Sequence, residues 1–355
     1  MKLFLFIVFF SFINLYSIDV ELGVRGGAIN LYSGETNFRK RLDRYDMFNY
    51  EVKKGYFPKN LGLHFQVGAF LKYFTPSGKF GLNANYTYFN FSQSHIRRDF
   101  LPSTIVIQYL NASLTNADLV TIDDFSIRTS RKDYFLDSVY YFQPKRFGIG
   151  LGYRGIEDAT NYFNRGYYRQ QSVKDTREYK SMGGQVSIYY SLPIQLEGIE
   201  GLKLHFRGSY FDLGGKFSES FQQVGVSNAI NQQVGIRDYY SYISLGTQIG
   251  NPLVHRRGYE FDLLMNFTPH NTSEHLKLFL GFTYQESQLR ILNYNRGTAS
   301  FVNTLGYSVT TEVINSLLVS KFIYSPAYSS PVIDRIYSIY FGASYLFETS
   351  SQVTN

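Results

Sequence analysis

Apolar and polar side chains alternate along much of this chain. Between Leu61 and Tyr73 every odd position is apolar, and most even positions hold Gly, His, Gln or Lys. Successive side chains of a strand point to opposite faces, so this run predicts one apolar wall and one polar wall. Its length slightly exceeds the roughly 9–11 residues that a tilted strand needs to cross a bilayer.

The alternation recurs and predicts about 12 strands, within a range of about 10–14. They cover residues 19–28, 61–73, 79–91, 133–142, 147–154, 181–192, 202–211, 238–250, 258–267, 276–285, 313–324 and 335–347. Strands of soluble sandwiches are shorter, usually about five or six residues. Only a closed sheet satisfies its backbone in hydrocarbon without helices. The pattern therefore predicts an all-β fold, a single antiparallel transmembrane β-barrel.

Two classes of connection separate the predicted strands. Short ones carry Pro76, Pro144, Pro193, Pro269 or Pro326, and proline ends strand pairing. The long polar ones cover about 29–60, 92–132, 155–180, 214–236 and 291–311. Short periplasmic turns and long extracellular loops are typical of outer-membrane barrels. Two predicted strands flank Asn251-Pro252 and conflict with placing every proline turn at one end, so one strand is either missed or not membrane-spanning.

The first 17 residues have the features of an export signal. Lys2 gives a positive start, an apolar stretch follows from Leu3 to Ile13, and Ser17 is small. The apolar stretch is too short to span a bilayer. We therefore expect residues 1–17 to be a signal peptide and residues 18–347 to form the barrel.

Composition agrees with a barrel and excludes several other classes. Tyr and Phe number 32 each, Gly numbers 30, and aromatic residues make up 18% of the chain, which suits strands and interfacial aromatic girdles. A mean hydropathy of −0.20 excludes a helical membrane protein. The absence of Cys excludes disulfides and lipidated cysteine. A net charge of +7 would suggest nucleic acid as a partner, but the export signal argues against it.

The polar walls of the strands supply candidate lumen-lining residues. These are Arg25, His64, Lys72, Asn83, Arg154, Lys203, His205, Arg207, Glu260, Asp262 and Lys277. Mixed charges can line an aqueous pore and bias its selectivity, or they can pair with one another and fill the lumen. The row Lys203, His205 and Arg207 suggests a weak anion preference, which Glu260 and Asp262 would offset from across the lumen.

The long loops suggest contacts outside the cell. Arg39, Lys40, Arg41 and Arg44 form a basic cluster in the first loop. Such charges bind lipopolysaccharide phosphates or anionic host polymers, or are simply solvated surface. The apolar stretch from Phe100 to Val120 either folds inward and narrows the pore or caps the neighbouring loops.

The sequence gives little support for enzyme activity. The six histidines are scattered without metal-ligand spacing, and nucleophile-elbow and phosphate-loop motifs are absent. We expect no enzyme activity, catalytic residue, metal site or cofactor. A barrel hydrolase using His205 or the Asp123-Asp124 pair stays as a third alternative.

With its export signal, amphipathic strands, proline turns and long loops, the chain resembles Gram-negative outer-membrane β-barrels of the porin-like kind over about residues 18–347. The resemblance implies an outer-membrane location and contact with membrane lipid and lipopolysaccharide. It also implies insertion by the barrel-assembly machinery, which reads a terminal aromatic residue; here Phe347 is followed by a polar tail, residues 348–355.

Two functions follow as expectations from this resemblance and from the polar lumen. The first is passive passage of small hydrophilic solutes through the barrel. The alternative is a surface adhesin or structural barrel whose basic extracellular loops bind anionic ligands.

Overall fold

A computed structural model of the 355-residue chain describes residues 19–32, 60–100, 120–166, 171–195, 201–231, 236–249, 251–269, 273, 275–293, 295–305, 321–323 and 331–348. The predicted signal peptide and residues 349–355 of the tail lie outside these ranges. The described strands are β1 (Asp19–Tyr32), β2 (Asn60–Phe74), β3 (Phe80–Phe100), β4 (Val120–Gln143), β5 (Phe147–Gly166), β6 (Gln171–Pro193), β7 (Lys203–Asn231), β8 (Ile236–Ile249), β9 (Leu253–Phe267), β10 (Leu276–Leu292), β11 (Asn295–Leu305), β12 (Lys321–Ile323) and β13 (Val332–Glu348). Among the described residues, no helix is long and apolar enough to span a bilayer.

Ten strands close into an antiparallel barrel. Around the ring the order is β7, β6, β5, β4, β3, β2, β1, β13, β10 and β9, and β9 pairs again with β7. The first and last strands join in register, with Asp19 opposite Glu348. The all-β antiparallel barrel is thus confirmed, and its ten ring strands are fewer than the expected 12 or so, at the lower limit of the predicted range of 10–14.

Three of the described strands, β8, β11 and β12, lie outside the ring and branch from it at β7. The first half of β7, Lys203–Lys216, pairs with β9, while the second half, Ser220–Asn231, pairs with β8. Strand β8 pairs with β11, and β11 pairs with β12, so these strands extend the sheet beyond the ring. The predicted strand 238–250 is therefore a strand, β8, but it is not one of the strands that form the barrel ring. Of the predicted strand 313–324, the described part is Lys321–Ile323. This fork removes the conflict around Asn251-Pro252.

The described connections distinguish the two ends of the barrel. The end that we call the turn rim holds Asp19, Glu348 and the connections 75–79 and 144–146. In the first connection Gly78 has a φ of 64° and its N–H donates to the Thr75 carbonyl at 2.8 Å, a backbone conformation that glycine adopts without steric cost. The opposite end is called the loop rim.

The outer wall carries an apolar band between two aromatic rings. On β13 the outward residues from Phe347 to Tyr337 rise about 25 Å if the strand tilts by about 40°, the height of a barrel's lipid-facing band. The lower ring, at the turn rim, includes Phe80, Tyr140, Phe142, Phe147, Tyr345 and Phe347. The upper ring includes Tyr134, Tyr153, Tyr210, Tyr259, Tyr284 and Tyr337.

Above the tyrosine ring the strands continue as a wall with charged outer positions. On five strands the charged outward residue follows the last outward tyrosine: Lys132, Glu157, Arg257, Glu286 and Arg335. On β6, Lys180 follows the outward Met182. Strand β4 has 24 residues, which is roughly 60 Å of barrel height at the same tilt. The strands thus extend into the segments 92–132, 155–180 and 214–236 that the sequence predicted as loops. Along the described parts of these segments the outward positions are mostly polar or charged, so the lipid-facing apolar signal stops while the hydrogen-bonded ladder continues.

Candidate functional site in the barrel interior

A network of charged side chains crosses the middle of the barrel, and Arg154 of β5 lies at its centre. The Arg154 side chain is 1% exposed and donates from Nε to Asp133 Oδ1 at 2.9 Å and from a terminal nitrogen to Asp133 Oδ2 at 2.6 Å. It also donates to Glu260 of β9. One guanidinium therefore neutralises part of two buried carboxylates, the geometry in which Arg is a strong partner.

The same network joins opposite walls of the barrel. Gln285 of β10 donates from Nε2 to Asp133 Oδ2 of β4 at 2.9 Å. Four ring strands separate β4 from β10 in either direction, so these two strands lie on opposite sides of the barrel. The two hydrogen-bonded side chains together therefore bridge the bore. Arg207 adds a 2.5 Å bond to Glu260 and stacks over the Phe135 ring at 3.7 Å. We call these residues (Asp133, Arg154, Arg207, Glu260 and Gln285) the central network.

A second charged layer lies nearer the loop rim. Arg131 of β4 donates to Asp334 of β13 at 2.8 Å and also to Asp158 of β5. Arg256 of β9, which is fully buried, donates to the same Asp158. These four side chains form the upper network. Since β4 and β13 have three ring strands between them on the shorter side, this layer also crosses the bore.

An inward apolar cluster covers the upper network on the side of the loop rim. Its members are buried side chains of four ring strands: Tyr179, Phe217, Val254, Leu289 and Ile291. The Tyr179 and Phe217 rings lie 4.9 Å apart. A barrel of about eight strands is just wide enough for side chains to fill it, and this ten-stranded ring reaches the same state with large Arg and aromatic side chains.

Below the central network a cavity of about 320 Å³ opens toward the turn rim. Eight Lys or Arg side chains and five Asp or Glu side chains line it. Three of the cations, Lys72, Lys203 and Lys277, lie within electrostatic range of His205. Lys277 Nζ is 3.7 Å from Glu21 Oε2. At the mouth, Lys145 pairs with Asp19. The lower half of the bore is therefore polar and positively charged.

The predicted lumen residues divide between these features. Arg154, Arg207 and Glu260 belong to the central network. The cavity is lined by Arg25, Lys72, Asn83, Lys203, His205, Asp262 and Lys277. His64 does not line it; its ring contacts Phe91 edge-on at 4.7 Å.

One spatial expectation for these residues is wrong. Glu260 and Asp262 do not face the row 203–207 across the lumen, because β9 is the ring neighbour of β7 and Arg207 is in register with Asp262. The excursion of β8 out of the ring makes these two strands adjacent. Asp262 accepts hydrogen bonds from Thr283 at 2.6 Å and from Tyr340 at 2.7 Å.

Sequence reasoning missed most of the two networks. Asp133 lay in a predicted strand but was not selected, whereas Gln285 was recognised as an inward polar residue. Arg131, Asp158, Arg256 and Asp334 lay just beyond the predicted strand ends. A usable signal was the two-residue spacing of inward positions, which continues past the predicted strand ends. Arg131 continues the spacing of Asp133 and Asp137, Asp158 that of Arg154, Arg256 that of Glu260, and Asp334 that of Ser338.

Other predicted features fall outside the described residues. The basic cluster Arg39, Lys40, Arg41 and Arg44 is one of them, and most of the apolar stretch 100–120 is another. Asp123 and Asp124 lie on β4, where the structure gives no side-chain placement. Across the described ranges, no group of three His, Asp or Glu side chains is arranged to hold a metal ion.

Comparison with known protein families identifies one family model that covers most of this chain. Residues 49–347 match a family model described as "Predicted outer membrane protein, Leptospiraceae". No curated protein matches. Among solved structures, the Escherichia coli outer membrane protease OmpT aligns at 9% identity and a TM-score of 0.38, covering 93% of this chain and 97% of that one. The Ralstonia pickettii toluene transporter TbuX aligns at 9% identity and a TM-score of 0.24, covering 94% and 90%.

Proposed function

This chain belongs to the family of predicted outer membrane proteins of Leptospiraceae, and we propose that it serves there as a closed, surface-displaying barrel. In this proposal the barrel anchors the wall above the tyrosine ring and the long loop-rim connections. Those connections, including the basic cluster Arg39–Arg44, bind anionic ligands outside the cell. The protein lies in the outer membrane, and the turn rim faces the periplasm in this proposal.

The hydrogen bond from Gln285 to Asp133 carries the proposal, because it joins opposite walls of the ring at 2.9 Å. The residues around it leave little room for a solute. Arg154 is 1% exposed, Arg256 is 0% exposed and Arg131 is 3% exposed. A continuous water path beside these side chains would expose them. Moving them apart would separate buried ion pairs, and each broken pair costs about 3–5 kcal/mol of stability.

The length of the strands supports a role on the loop side. Strands β3 to β7 continue well beyond the lipid-facing band, and β8, β11 and β12 extend the sheet from β7. A channel does not require such a wall, whereas a protein that presents binding loops away from the membrane surface does gain reach from it.

Passive passage of small hydrophilic solutes is the second candidate. It is favoured by the polar cavity of about 320 Å³, which already occupies the half of the bore next to the turn rim. For passage to occur, the central and upper networks would both have to separate. The structural neighbours carry no weight in this choice, because their TM-scores are low.

Binding of an anionic polymer tests the surface role. The refolded protein in lipid vesicles is passed over immobilised heparin, and the variant Arg39→Gln/Arg41→Gln is compared with Lys180→Gln/Lys216→Gln. Both pairs lose the same charge, but Lys180 and Lys216 lie on the outer wall. We expect the first pair to weaken binding by about tenfold or more, since about tenfold is the scale of a single charged contact and the pair loses two charges. The second pair should leave binding unchanged. Equal effects, or absence of binding by the parent protein, would contradict the proposal.

A further inference from the structure

The half of the bore next to the turn rim has more positive than negative charge. Around the central network, the cations and carboxylates that line the cavity are balanced: Arg25, Arg154 and Arg207 face Asp133, Glu260 and Asp262. The remaining lining residues with charge are Lys72, Lys145, Arg146, Lys203 and Lys277, against Asp19 and Glu21. The excess of three positive charges thus lies entirely in this lower part, which we call the vestibule.

The acidic groups of the vestibule already have partners. Asp19 pairs with Lys145 at the mouth. Glu21 is 6% exposed, accepts a 2.7 Å hydrogen bond from Ser344 and has Lys277 at 3.7 Å. Lys72 also interacts electrostatically with this one carboxylate. Two ammonium groups therefore share Glu21. Lys203 lies within electrostatic range of Lys277 and, like Lys72, of His205.

Uncompensated cations inside a low-dielectric wall are unfavourable, and a bound anion removes that cost. The walls of this barrel are surrounded by lipid, so field lines concentrate in the opening. A cavity of about 320 Å³ has the size at which small-ligand sites begin, roughly 300 Å³. Lysine ammonium groups act as mobile point charges that suit phosphate or carboxylate groups.

We propose that the vestibule binds a small molecule carrying two or more carboxylate or phosphate groups, which enters from the turn rim. Lys72, Lys203 and Lys277 contact the anionic groups, and Glu21 competes with the ligand for them. The site shares no residue with the basic cluster Arg39, Lys40, Arg41 and Arg44, and it does not depend on whether the bore is closed.

Calorimetric titration of the refolded protein in zwitterionic detergent tests this site. Citrate and inorganic pyrophosphate are the two probes, one for carboxylates and one for phosphates. We expect saturable binding of at least one probe. Lys72→Gln and Lys203→Gln should each weaken that binding about tenfold, the scale of one charged hydrogen bond. Lys180→Gln is the matched control, because the Lys180 side chain is 60% exposed on the outer wall.

The variant Glu21→Gln gives a result of opposite sign. Removal of the competing carboxylate frees Lys72 and Lys277, so the affinity for the anion should rise. A cluster with a purely structural role would not give tighter binding. Circular dichroism checks that each variant keeps its strand signal, and Lys203→Gln, at an exposed position, keeps the test valid if a more buried variant fails to fold.

Three results would overturn the site. One is the absence of saturable binding for both probes, and another is an equal loss of affinity in Lys203→Gln and Lys180→Gln. The third is weaker binding in a folded Glu21→Gln variant. Binding of citrate alone would assign the site to carboxylates, and binding of pyrophosphate alone would assign it to phosphates; either result supports the proposal.

Discussion

Replacing Arg154 by Met removes the cation at the centre of the barrel while keeping most of its side-chain volume. Asp133 then loses the two hydrogen bonds of 2.9 and 2.6 Å from Arg154 and keeps the one from Gln285. Glu260 retains Arg207 at 2.5 Å. One buried carboxylate is thus left without a cation. Breaking a buried pair in this way costs about 3–5 kcal/mol, a large share of a typical stability of about 5–15 kcal/mol.

Urea unfolding of the refolded barrel in phospholipid vesicles measures this loss, followed by circular dichroism. Arg257→Met is the matched control on β9. Its guanidinium lies on the outer wall. Among the described residues, its hydrogen-bond partner is Gln288, at 3.3 Å. We expect this control to change the free energy of unfolding by less than about 0.5 kcal/mol. An unchanged slope with urea would show that both variants unfold from comparable structures.

A second substitution identifies the cause of the loss. In Arg154→Met/Asp133→Asn the uncompensated charge is gone, and the Asn amide oxygen still accepts from Gln285. We expect roughly half of the lost stability to return, since buried neutral groups cost less than buried charges. A loss below about 1 kcal/mol in Arg154→Met would refute the reasoning, as would a double variant less stable than the single one.

Two further predictions concern the wall of the barrel. A Cβ at Gly183 would lie 2.3 Å from the Asp212 carbonyl oxygen, whereas a Cβ at Gly184 has open space; Gly183→Ala should therefore destabilise the barrel by about 1–3 kcal/mol and Gly184→Ala should not, as measured by urea unfolding. The chain has no Trp, so the fluorescence of a single introduced Trp reports the depth of that position in the bilayer. Brominated acyl chains should quench the fluorescence of Leu151→Trp strongly and that of Lys180→Trp weakly. Equal quenching would contradict the assigned apolar band.

The sequence was sufficient for the fold class, because lipid-facing strands must alternate. The runs 61–73 and 147–154 show one apolar wall each, and both lie in ring strands. Alternation does not tell which strand is the next neighbour. The predicted strand 238–250 alternates and is a strand, yet it pairs with the outer half of β7. The branching of β7 depends on hydrogen-bond register, which no local pattern encodes.

The interior was less predictable than the wall. Arg154 and Glu260 were identified as inward residues from their parity, but their partner Asp133 was not selected because its strand alternates less cleanly. Arg131 and Asp158 lie where the outer wall has left the lipid, so the apolar signal had ended before them. Whether such charges line water or bind one another depends on the diameter of the ring, which follows from strand number and register.

Single-channel recording in a planar bilayer tests the closed bore most directly. The parent protein is compared with a variant in which the bridging side chains are shortened, Gln285→Ser/Arg131→Ser/Asp334→Ser. We expect the parent to give no discrete conductance steps and the variant, once shown to be folded, to give them. Regular open steps from the parent protein would contradict a bore bridged from wall to wall by its own side chains.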